Sequence, residues 1–278
     1  MSSKTEKDRL GKNIKRVKPL LKKEEAIVRP SFKKMLIATD IHGDYRALEF
    51  ILKFAEKKGI EAYIFLGDYI DKGPDSVAVL NELLEMKLRN PKKIFLLRGN
   101  HETRDISRWF EFSDDLADET ELLEASNAVF EQMPIGAVLN ENIFCVHGCI
   151  AGTKHESLKD ISKKDPKKYL WNDPGTEDGL LPSGRGGGIY SIGPDLIKKF
   201  MKQNDLQLII RGHTSHQEGV KLFCDDRVIS LYSTLPGTGP RARAAVAVLE
   251  EKKIKFYYYR KTKNGFEWED EVKQLDLK

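Results

Sequence analysis

Short apolar stretches of strand length recur along the chain, and each ends at a group of polar residues. They cover residues 35–39, 62–66, 94–98, 143–146 and 208–210. Between them, apolar residues fall at helical spacing, as at Leu48, Ile51, Leu52 and Ala55. Strands that alternate with helices in this way predict βαβ units and a mostly parallel sheet within an α/β fold.

The polar groups that follow these strands are rich in metal-ligating side chains. In chain order they are Asp40-Ile41-His42, Gly67-Asp68, Asn100-His101, His147 and His213. In an open α/β sheet the reactive groups lie in the loops just beyond the carboxyl ends of the strands. We therefore expect these side chains to meet at one edge of the sheet.

The two ends of the chain have a different pattern. Residues 1–9 are expected to be disordered, and the apolar residues from Leu10 to Leu21 predict an amphipathic helix that ends by Pro30. This helix is expected to pack on the domain, with a membrane or partner helix as the alternative. Three apolar runs at 228–232, 244–249 and 254–259 have hairpin spacing and predict a second, partly antiparallel sheet.

The predicted organisation has three parts. Residues 1–30 form a basic helical extension packed on the core, residues 31–260 a catalytic domain and residues 261–278 a short tail. Within the catalytic domain, residues 102–134 predict a largely helical insertion. Residues 151–170 are a lysine-rich loop, and residues 172–188 are glycine-rich around Arg185.

Composition excludes several classes of protein. The formal net charge of +4 comes from residues 1–25, which hold nine Lys or Arg against four Asp or Glu, so no nucleic-acid partner is expected. Cys145, Cys149 and Cys224 suggest no disulfide framework and favour a reducing cytoplasm. The N-terminus has no apolar core of a signal peptide, and no stretch is long enough to span a membrane.

The residues after the strands suit borderline to hard divalent cations, because they offer Asp, His and Asn rather than thiolates. Two cations about 3.5 to 4 Å apart can polarise a phosphoryl group and hold a hydroxide for in-line attack. Each piece also has an ordinary interpretation: Asp-x-His occurs by chance, Gly-Asp is common in turns, and His147 and His213 could be buried core residues. Their shared position after buried strands favours a phosphoester-hydrolysing metal site.

The motifs resemble those of the calcineurin-like metallophosphoesterases, and more closely the PPP family of serine/threonine phosphoprotein phosphatases. The resemblance rests on these segments: Asp40-Ile41-His42-Gly43, Gly67-Asp68-Tyr69-Ile70-Asp71, Leu97-Arg98-Gly99-Asn100-His101-Glu102, His147-Gly148, Trp171-Asn172-Asp173-Pro174, Arg185-Gly186, Gly193-Pro194-Asp195 and Arg211-Gly212-His213. It covers about residues 20–260. It implies a β-sandwich of mixed sheets flanked by helices, with a dimetal site at the strand carboxyl ends.

The resemblance also implies roles for individual residues. Asp40, His42 and Asp68 would hold the first metal, and Asp68, Asn100, His147 and His213 the second, with Asp68 bridging. His101 would protonate the leaving alkoxide, and Asp71 would orient its ring. Arg185 would clamp the phosphate, whereas Arg98 is expected to be structural. The cofactors would be two divalent ions, with Mn expected in vitro and Fe, Zn or Co as alternatives.

Some positions depart from the family pattern. Lys72 stands where relatives usually have Arg, which keeps the charge but loses the bidentate fork on phosphate. Cys149 replaces a Gly and is expected to be a packing residue rather than a redox switch. The stretch 232–237 lacks the Tyr of the eukaryotic loop. His155 is expected at the surface, and His216 in solvent, with a contact behind His213 as its alternative.

These observations predict a cytoplasmic phosphatase that acts on phosphoserine and phosphothreonine in proteins. One alternative is a small-molecule phosphoesterase of the same superfamily, such as a dinucleoside polyphosphate hydrolase. The other is a scaffold that has lost catalysis, but such a protein should have broken ligands or no acid. Phosphoproteins are the expected partners, with no membrane or nucleic-acid partner.

Overall fold

The structure is a computed structural model, and it describes residues 3–117, 119–235 and 242–277. Its strands are β1 (Ile27–Val28), β2 (Lys34–Ala38), β3 (Ala62–Phe65), β4 (Ile94–Leu96), β5 (Gly136–Leu139), β6 (Ile143–Val146), β7 (Asp173–Pro174), β8 (Leu180–Pro182), β9 (Tyr190–Ile192), β10 (Leu208–Arg211), β11 (Val220–Phe223), β12 (Val228–Leu231), β13 (Ala244–Glu250), β14 (Lys253–Thr262) and β15 (Gly265–Asp276).

The helices are α1 (Ser3–Lys23), α2 (Tyr45–Lys57), α3 (Ser76–Arg89), α4 (Arg104–Trp109), α5 (Glu111–Asp115), α6 (Thr120–Phe130), α7 (Lys167–Trp171) and α8 (Pro194–Gln203). A short 3-10 helix lies at Leu158–Asp160. Among the described residues, no helix is long and apolar enough to cross a bilayer.

Two mixed sheets face each other across a buried apolar layer. Sheet I has the strand order β15-β14-β13-β2-β3-β4, and sheet II has the order β1-β5-β6-β10-β12-β11. Strands β2, β3 and β4 run parallel in sheet I, as β6, β10 and β12 do in sheet II. Ile64 and Ala247 of sheet I pack in one cluster with Cys145 and Ile210 of sheet II. This is the β-sandwich that the sequence predicted.

Helices cover the outer faces of the sandwich. Apolar residues of α1, α2, α3 and α6 join one cluster with sheet I, and residues of α8 such as Phe200 pack on sheet II. The packing follows from sequence for α2 and α8, whose apolar residues fall on one side, whereas α3 is apolar on most of its surface and packs between α1 and sheet I. In both sheets the carboxyl ends of the parallel strands lie in the same region, and the polar loops begin there.

The prediction of one separate C-terminal sheet is wrong. Strand β12 pairs in parallel with β10 inside sheet II, whereas β13 pairs antiparallel with β2 and extends sheet I. Hairpin spacing correctly indicated the β13–β14 pair, whose register joins Glu250 to Lys253. Spacing fixes only local pairing, however, and it cannot tell which of two sheets a strand joins.

The N-terminal segment is ordered closer to its start than the sequence indicated. Helix α1 begins at Ser3, so the prediction of disorder is wrong for residues 3–9, while residues 1 and 2 lie outside the described residues. Lys7 is buried and its ammonium donates to the carbonyl of Leu116 at 2.8 Å. Arg9 binds Glu85 of α3 through two contacts of 2.5 and 2.7 Å.

The C-terminal segment forms a strand instead of the predicted tail. Strand β15 pairs antiparallel with β14 along most of its length at the edge of sheet I. Trp268 stacks on Phe54 and Phe50 of α2, with ring centroids 4.1 and 5.0 Å apart. This aromatic contact explains the order of a segment whose other side chains are largely exposed. Lys278 lies outside the described residues.

Candidate active site

The loops that follow β2, β3 and β10 have strained backbones at the predicted site. Asp40, His42, Asp68 and His213 have φ angles of 51, 46, 57 and 69°, in the left-handed region that non-glycine residues rarely adopt. Such strain concentrates at functional sites, where the surrounding structure must hold it in place. Backbone hydrogen bonds between the loops hold these conformations in place, for example the 2.9 Å hydrogen bond from the amide of His42 to the carbonyl of Asp68.

Two glycines let these loops approach one another closely. A Cβ on Gly99 would lie 2.3 Å from Oδ1 of Asp68, and a Cβ on Gly212 would lie 2.0 Å from Oγ1 of Thr39. Neither distance is possible between real atoms, so both positions require glycine. The glycines of the Gly-Asn-His and Gly-His motifs are therefore part of the site's geometry.

The first group of donor atoms comes from Asp40, His42 and Asp68. Nδ1 of His42 lies 3.0 Å from the carbonyl of Ile70, so this nitrogen carries the hydrogen and Nε2 keeps its lone pair. Nε2 lies 3.7 Å from Oδ1 of Asp40 and 3.5 Å from Oδ2 of Asp68. Burial lowers the pKa of His42 to about 3, which keeps the ring neutral as a metal ligand must be.

The second group comes from Asp68, Asn100, His147 and His213. Oδ1 of Asn100 lies 2.8 Å from Nε2 of His147 and 2.7 Å from Nδ1 of His213. Nε2 of His147 also lies 3.3 Å from Oδ1 of Asp68, while its Nδ1 is 3.1 Å from the carbonyl of Leu66. Within the described chain, Nε2 of His213 is buried and has no hydrogen-bond partner.

These donors fit a pair of divalent cations. The described residues form two clusters, one of His42, Asp68 and His101 and the other of Asp68, His147 and His213, and within each cluster the ligand atoms lie within 4.8 Å of one another. Asp68 belongs to both and can bridge them. Burial raises the pKa of the nearby Asp40, which shows that a carboxylate here needs a compensating positive charge. The structure thus brings together all six residues that the sequence predicted as ligands.

His101 and Asp71 form the hydrogen-bonded pair that the sequence predicted. Nδ1 of His101 lies 2.7 Å from Oδ2 of Asp71, whose Oδ1 accepts a 2.8 Å bond from the amide of Phe112. Burial opposes a charge on His101, but the carboxylates of Asp68 and Asp71 outweigh it and raise the pKa of the ring. Nε2 is 3.9 Å from Oδ2 of Asp68, so this ring faces the candidate ligand groups.

The two predicted phosphate-binding residues lie in different surroundings. The ammonium of Lys72 is 2.8 Å from Nε2 of His42. Arg185 is partly exposed, and its Nε lies 2.7 Å from Oδ2 of Asp173. The other oxygen of Asp173 binds the buried Arg211 at 2.8 Å, which ties Arg185 to the loop of the second group.

The sequence of this chain matches a known protein family. Residues 33–217 match the sequence profile of the family described as calcineurin-like phosphoesterases, which is well over half of the chain. The chain belongs to this family. Members of the family bind two divalent metal ions, in agreement with the two clusters around Asp68. The chain is therefore a metal-binding phosphoesterase.

Solved structures share the fold of this phosphoesterase. One is a protein serine/threonine phosphatase from Saccharomyces cerevisiae with similarity to human phosphatase PP5, with a TM-score of 0.79 and 21% identity, covering 100% of this chain and 90% of that one. Another is a cold-active protein-tyrosine phosphatase of a psychrophilic Shewanella species, with a TM-score of 0.60, 18% identity and 86% and 81% coverage. A metallophosphoesterase from Sphaerobacter thermophilus has a TM-score of 0.51, 17% identity and 82% and 88% coverage.

Glu102 positions two loops of the site, and sequence reasoning gave this residue no specific role. Its buried carboxylate accepts bonds of 2.8 to 2.9 Å from the amides of Asp68, Tyr69 and Gly99. Burial and the nearby Asp68 raise the pKa of Glu102 to about 7. Its hydrogen bonds join the loop after β3 to the loop after β4. In the sequence, the signal that could have indicated this role was its position directly after His101.

The structure also shows the surroundings of four other residues that the sequence analysis considered: Arg98, Cys149, His155 and His216. Nε of Arg98 donates to the carbonyl of Glu102 at 2.9 Å, as a structural residue would. Cys149 is fully buried in the cluster behind sheet II, and His155 is exposed. His216 is half-buried and its Nε2 lies 2.9 Å from Oγ of Ser230, so the prediction of solvent exposure is wrong. Sequence could not show that β12 would pass beside it.

A large cleft opens next to the site of this phosphoesterase. Its volume is about 940 Å³, and it lies between α4 and the segment that leads into α7. Trp171, which lines the cleft, packs edge-on against the ring of His213 with centroids 5.5 Å apart. Phe110 packs against His101 with centroids 5.6 Å apart. Aromatic side chains thus border both clusters of donor atoms.

Proposed function

We propose that this phosphoesterase hydrolyses phosphomonoesters on serine and threonine side chains of proteins. The observation that carries the proposal is the His101–Asp71 pair, with 2.7 Å between Nδ1 and Oδ2, beside the metal-ligating groups. Serine and threonine alkoxides are poor leaving groups, so a proton delivered to the ester oxygen accelerates their departure. Asp71 accepts from Nδ1 and thereby directs Nε2, which carries the transferable proton, toward the site.

The ligand roles are part of the proposal. Asp40, His42 and Asp68 would hold one cation, and Asp68, Asn100, His147 and His213 the other, and we propose Mn²⁺ as the ion for assays in vitro. When bound, the cations would polarise the phosphoryl oxygens and lower the pKa of a water molecule. The protein contributes the fixed positions of these ligands, through the strained loops and the carboxylate of Glu102.

Arg185 and Lys72 are proposed to bind the phosphate. Arg185 is anchored on one side by Asp173, and it retains donors on its other nitrogens for a phosphoryl group. Lys72 supplies a point charge instead of a fork, which binds phosphate with less directional specificity. The positive charges of Arg185 and Lys72 would stabilise the negative charge on the non-bridging oxygens of the phosphate.

A protein substrate is supported by the shape of the surface beside the site. The cleft of about 940 Å³ is larger than a phosphorylated side chain needs and lies in the open surface next to Trp171. The fold shared with a protein serine/threonine phosphatase agrees with this assignment. A catalytically inactive scaffold is disfavoured, because the six donor residues, His101 and Asp71 are all present.

The test is a side-by-side assay of metal-stripped protein resupplied with Mn²⁺. The substrates are a phosphothreonine peptide, the matching phosphotyrosine peptide and diadenosine tetraphosphate. We expect fastest release of phosphate from the phosphothreonine peptide. Preference for the dinucleotide would overturn the proposed substrate class while leaving the metal site in place, and preference for phosphotyrosine would overturn the residue specificity.

A further inference from the structure

We propose that the cleft beside Trp171 recognises acidic residues that flank the phosphorylated residue of a substrate. This inference rests on the proposed function, because it assigns a recognition site to a phosphoprotein substrate. We call this region the lysine cleft. Its basic residues are Arg98, Arg104, Lys163, Lys164 and Lys167, and its acidic ones are Asp105, Glu131 and Asp165.

The lysine cleft adjoins the reacting groups directly. Thr103, in its wall, follows His101 by two residues and donates through its hydroxyl to the carbonyl of Asn100 at 2.7 Å. On the opposite side, the ring of Trp171 lies against His213. An extended peptide advances by about 3.3 Å per residue, so neighbours of a phosphorylated residue held at the site would reach the cleft.

The charges of the cleft do not cancel. Arg104 binds Glu131 at 2.5 Å and Glu124 at a further contact of 2.5 Å, which removes this arginine and Glu131 from the balance. Arg98 is buried and donates to the carbonyl of Glu102, so the cations facing a ligand are Lys163, Lys164 and Lys167, against the two carboxylates Asp105 and Asp165. The cleft therefore has a surplus of positive charge, and it is complementary to an acidic segment.

The hydrogen bonds of Lys163 and Lys167 do not neutralise their charges, although those of Lys163 use all three of its N–H donors. The ammonium of Lys163 donates to the main-chain carbonyls of Leu21, Glu24 and Gln132, and that of Lys167 donates to the carbonyl of Gly187. Carbonyl oxygens accept hydrogen bonds but carry no formal charge. Lys164 is exposed on the rim, which makes it the residue to test.

An apolar strip inside the cleft adds a second element of recognition. Ile106, Leu170, Trp171 and Ile189 line it. The nearby Trp109, at the end of α4, has 85% of its surface exposed. An acidic segment with one apolar or aromatic side chain matches this combination of a basic rim and apolar lining.

The experiment compares phosphothreonine peptides of one length whose flanking residues are Glu, Gln or Lys, first before and then after the phosphorylated residue. Rates on p-nitrophenyl phosphate, which has no flanking residues, normalise each protein. Wild type should prefer the acidic over the basic peptides by roughly tenfold in kcat/KM at low salt, and added salt should reduce the preference.

Variants on the rim test whether the cleft carries the preference. Lys164→Glu should reduce the ratio of acidic to basic kcat/KM by roughly fivefold, and Asp165→Lys should increase it. The matched control is Lys202→Glu, an exposed lysine in the last turn of α8 that is not part of the cleft, and it should leave the ratio unchanged.

Several results would overturn the inference. It fails if wild type cleaves all peptides within twofold of one another, or if Lys164→Glu and Lys202→Glu have the same effect. Hydrolysis of p-nitrophenyl phosphate or diadenosine tetraphosphate without hydrolysis of any phosphopeptide is a different failure. That result would overturn the proposed function itself, and the recognition site with it.

Discussion

The ammonium of Lys72 lies 2.8 Å from Nε2 of His42, the nitrogen that the ring leaves free by bonding to Ile70 through Nδ1. Lys72 is held there by a turn in which it and Asp71 both have left-handed backbone angles, with φ of 66 and 68°. A cation bound to Nε2 of His42 must therefore displace the ammonium. Lysine at this position would link metal binding to the position of a side chain that is proposed to bind the phosphate.

Replacing Lys72 with methionine should tighten binding of Mn²⁺. The variant removes a positive charge that competes for the same nitrogen, and we expect roughly a tenfold lower dissociation constant at the site that contains His42. Titration calorimetry on metal-stripped protein measures it. Lys72→Arg, which retains the charge, serves as the control and should remain closer to wild type. Equal affinity of wild type and the methionine variant would contradict the competition.

Replacing His101 with alanine should slow hydrolysis of a phosphothreonine peptide by roughly 100-fold or more, because the leaving alkoxide loses its proton donor. Hydrolysis of p-nitrophenyl phosphate should fall much less, since nitrophenolate leaves without protonation. Steady-state kinetics on both substrates give the comparison, with metal content measured alongside. A loss below about tenfold on the peptide, with metals retained, would refute the role of general acid.

Asp68 should determine whether both metals bind. We expect Asp68→Asn to reduce the metal content to well below that of wild type at both sites, whereas His42→Ala should lose one ion, because only Asp68 belongs to both clusters. Elemental analysis after dialysis measures the stoichiometry. His216→Ala, outside both clusters, is the control. Retention of one full equivalent by Asp68→Asn would argue against a bridging carboxylate.

Gly99→Ala should destabilise the protein and disturb the metal site. The added methyl would lie 2.3 Å from Oδ1 of Asp68, so the loop must shift at a cost of about 2 kcal/mol or more in the free energy of unfolding. Gly184→Ala is a matched control, because a Cβ there meets no atom within 4 Å and should change the free energy by about 0.5 kcal/mol or less. Denaturant unfolding compares the two.

The ion pair of Glu85 and Arg9 should make the anchoring of α1 pH-dependent. Arg9 lowers the pKa of Glu85 to about 2, so the pair stabilises the fold above the ordinary carboxyl pKa and this contribution disappears as the pH falls through 2. Because both side chains are partly exposed, we expect Glu85→Gln to cost only about 1 kcal/mol at pH 6.

The difference between wild type and Glu85→Gln should shrink between pH 5 and pH 2. Urea unfolding across this range gives the measurement. Glu49→Gln, which breaks an exposed pair with Lys53, is the comparison and should have a smaller effect. A constant difference down to pH 2 would show that the charge of Glu85 does not contribute.

The sequence by itself determined the central strands and the donor residues. Apolar runs such as 143–146 coincide with β6, and the polar groups after them reach one edge, because parallel strands carry their carboxyl ends to the same side. The helix of residues 45–57 was likewise predictable, since its apolar residues, among them Leu48, Ile51 and Ala55, are buried on one side.

Only the tertiary structure decided the contacts between distant segments. Nothing local in the sequence indicates that Lys72 meets His42, that Glu102 binds three amides or that Trp268 docks β15 on α2. The assignment of β12 and β13 to different sheets also depends on packing across the sandwich. The periodicity of apolar residues indicates which side of a helix or strand is buried. Which other element packs on that side depends on the whole fold.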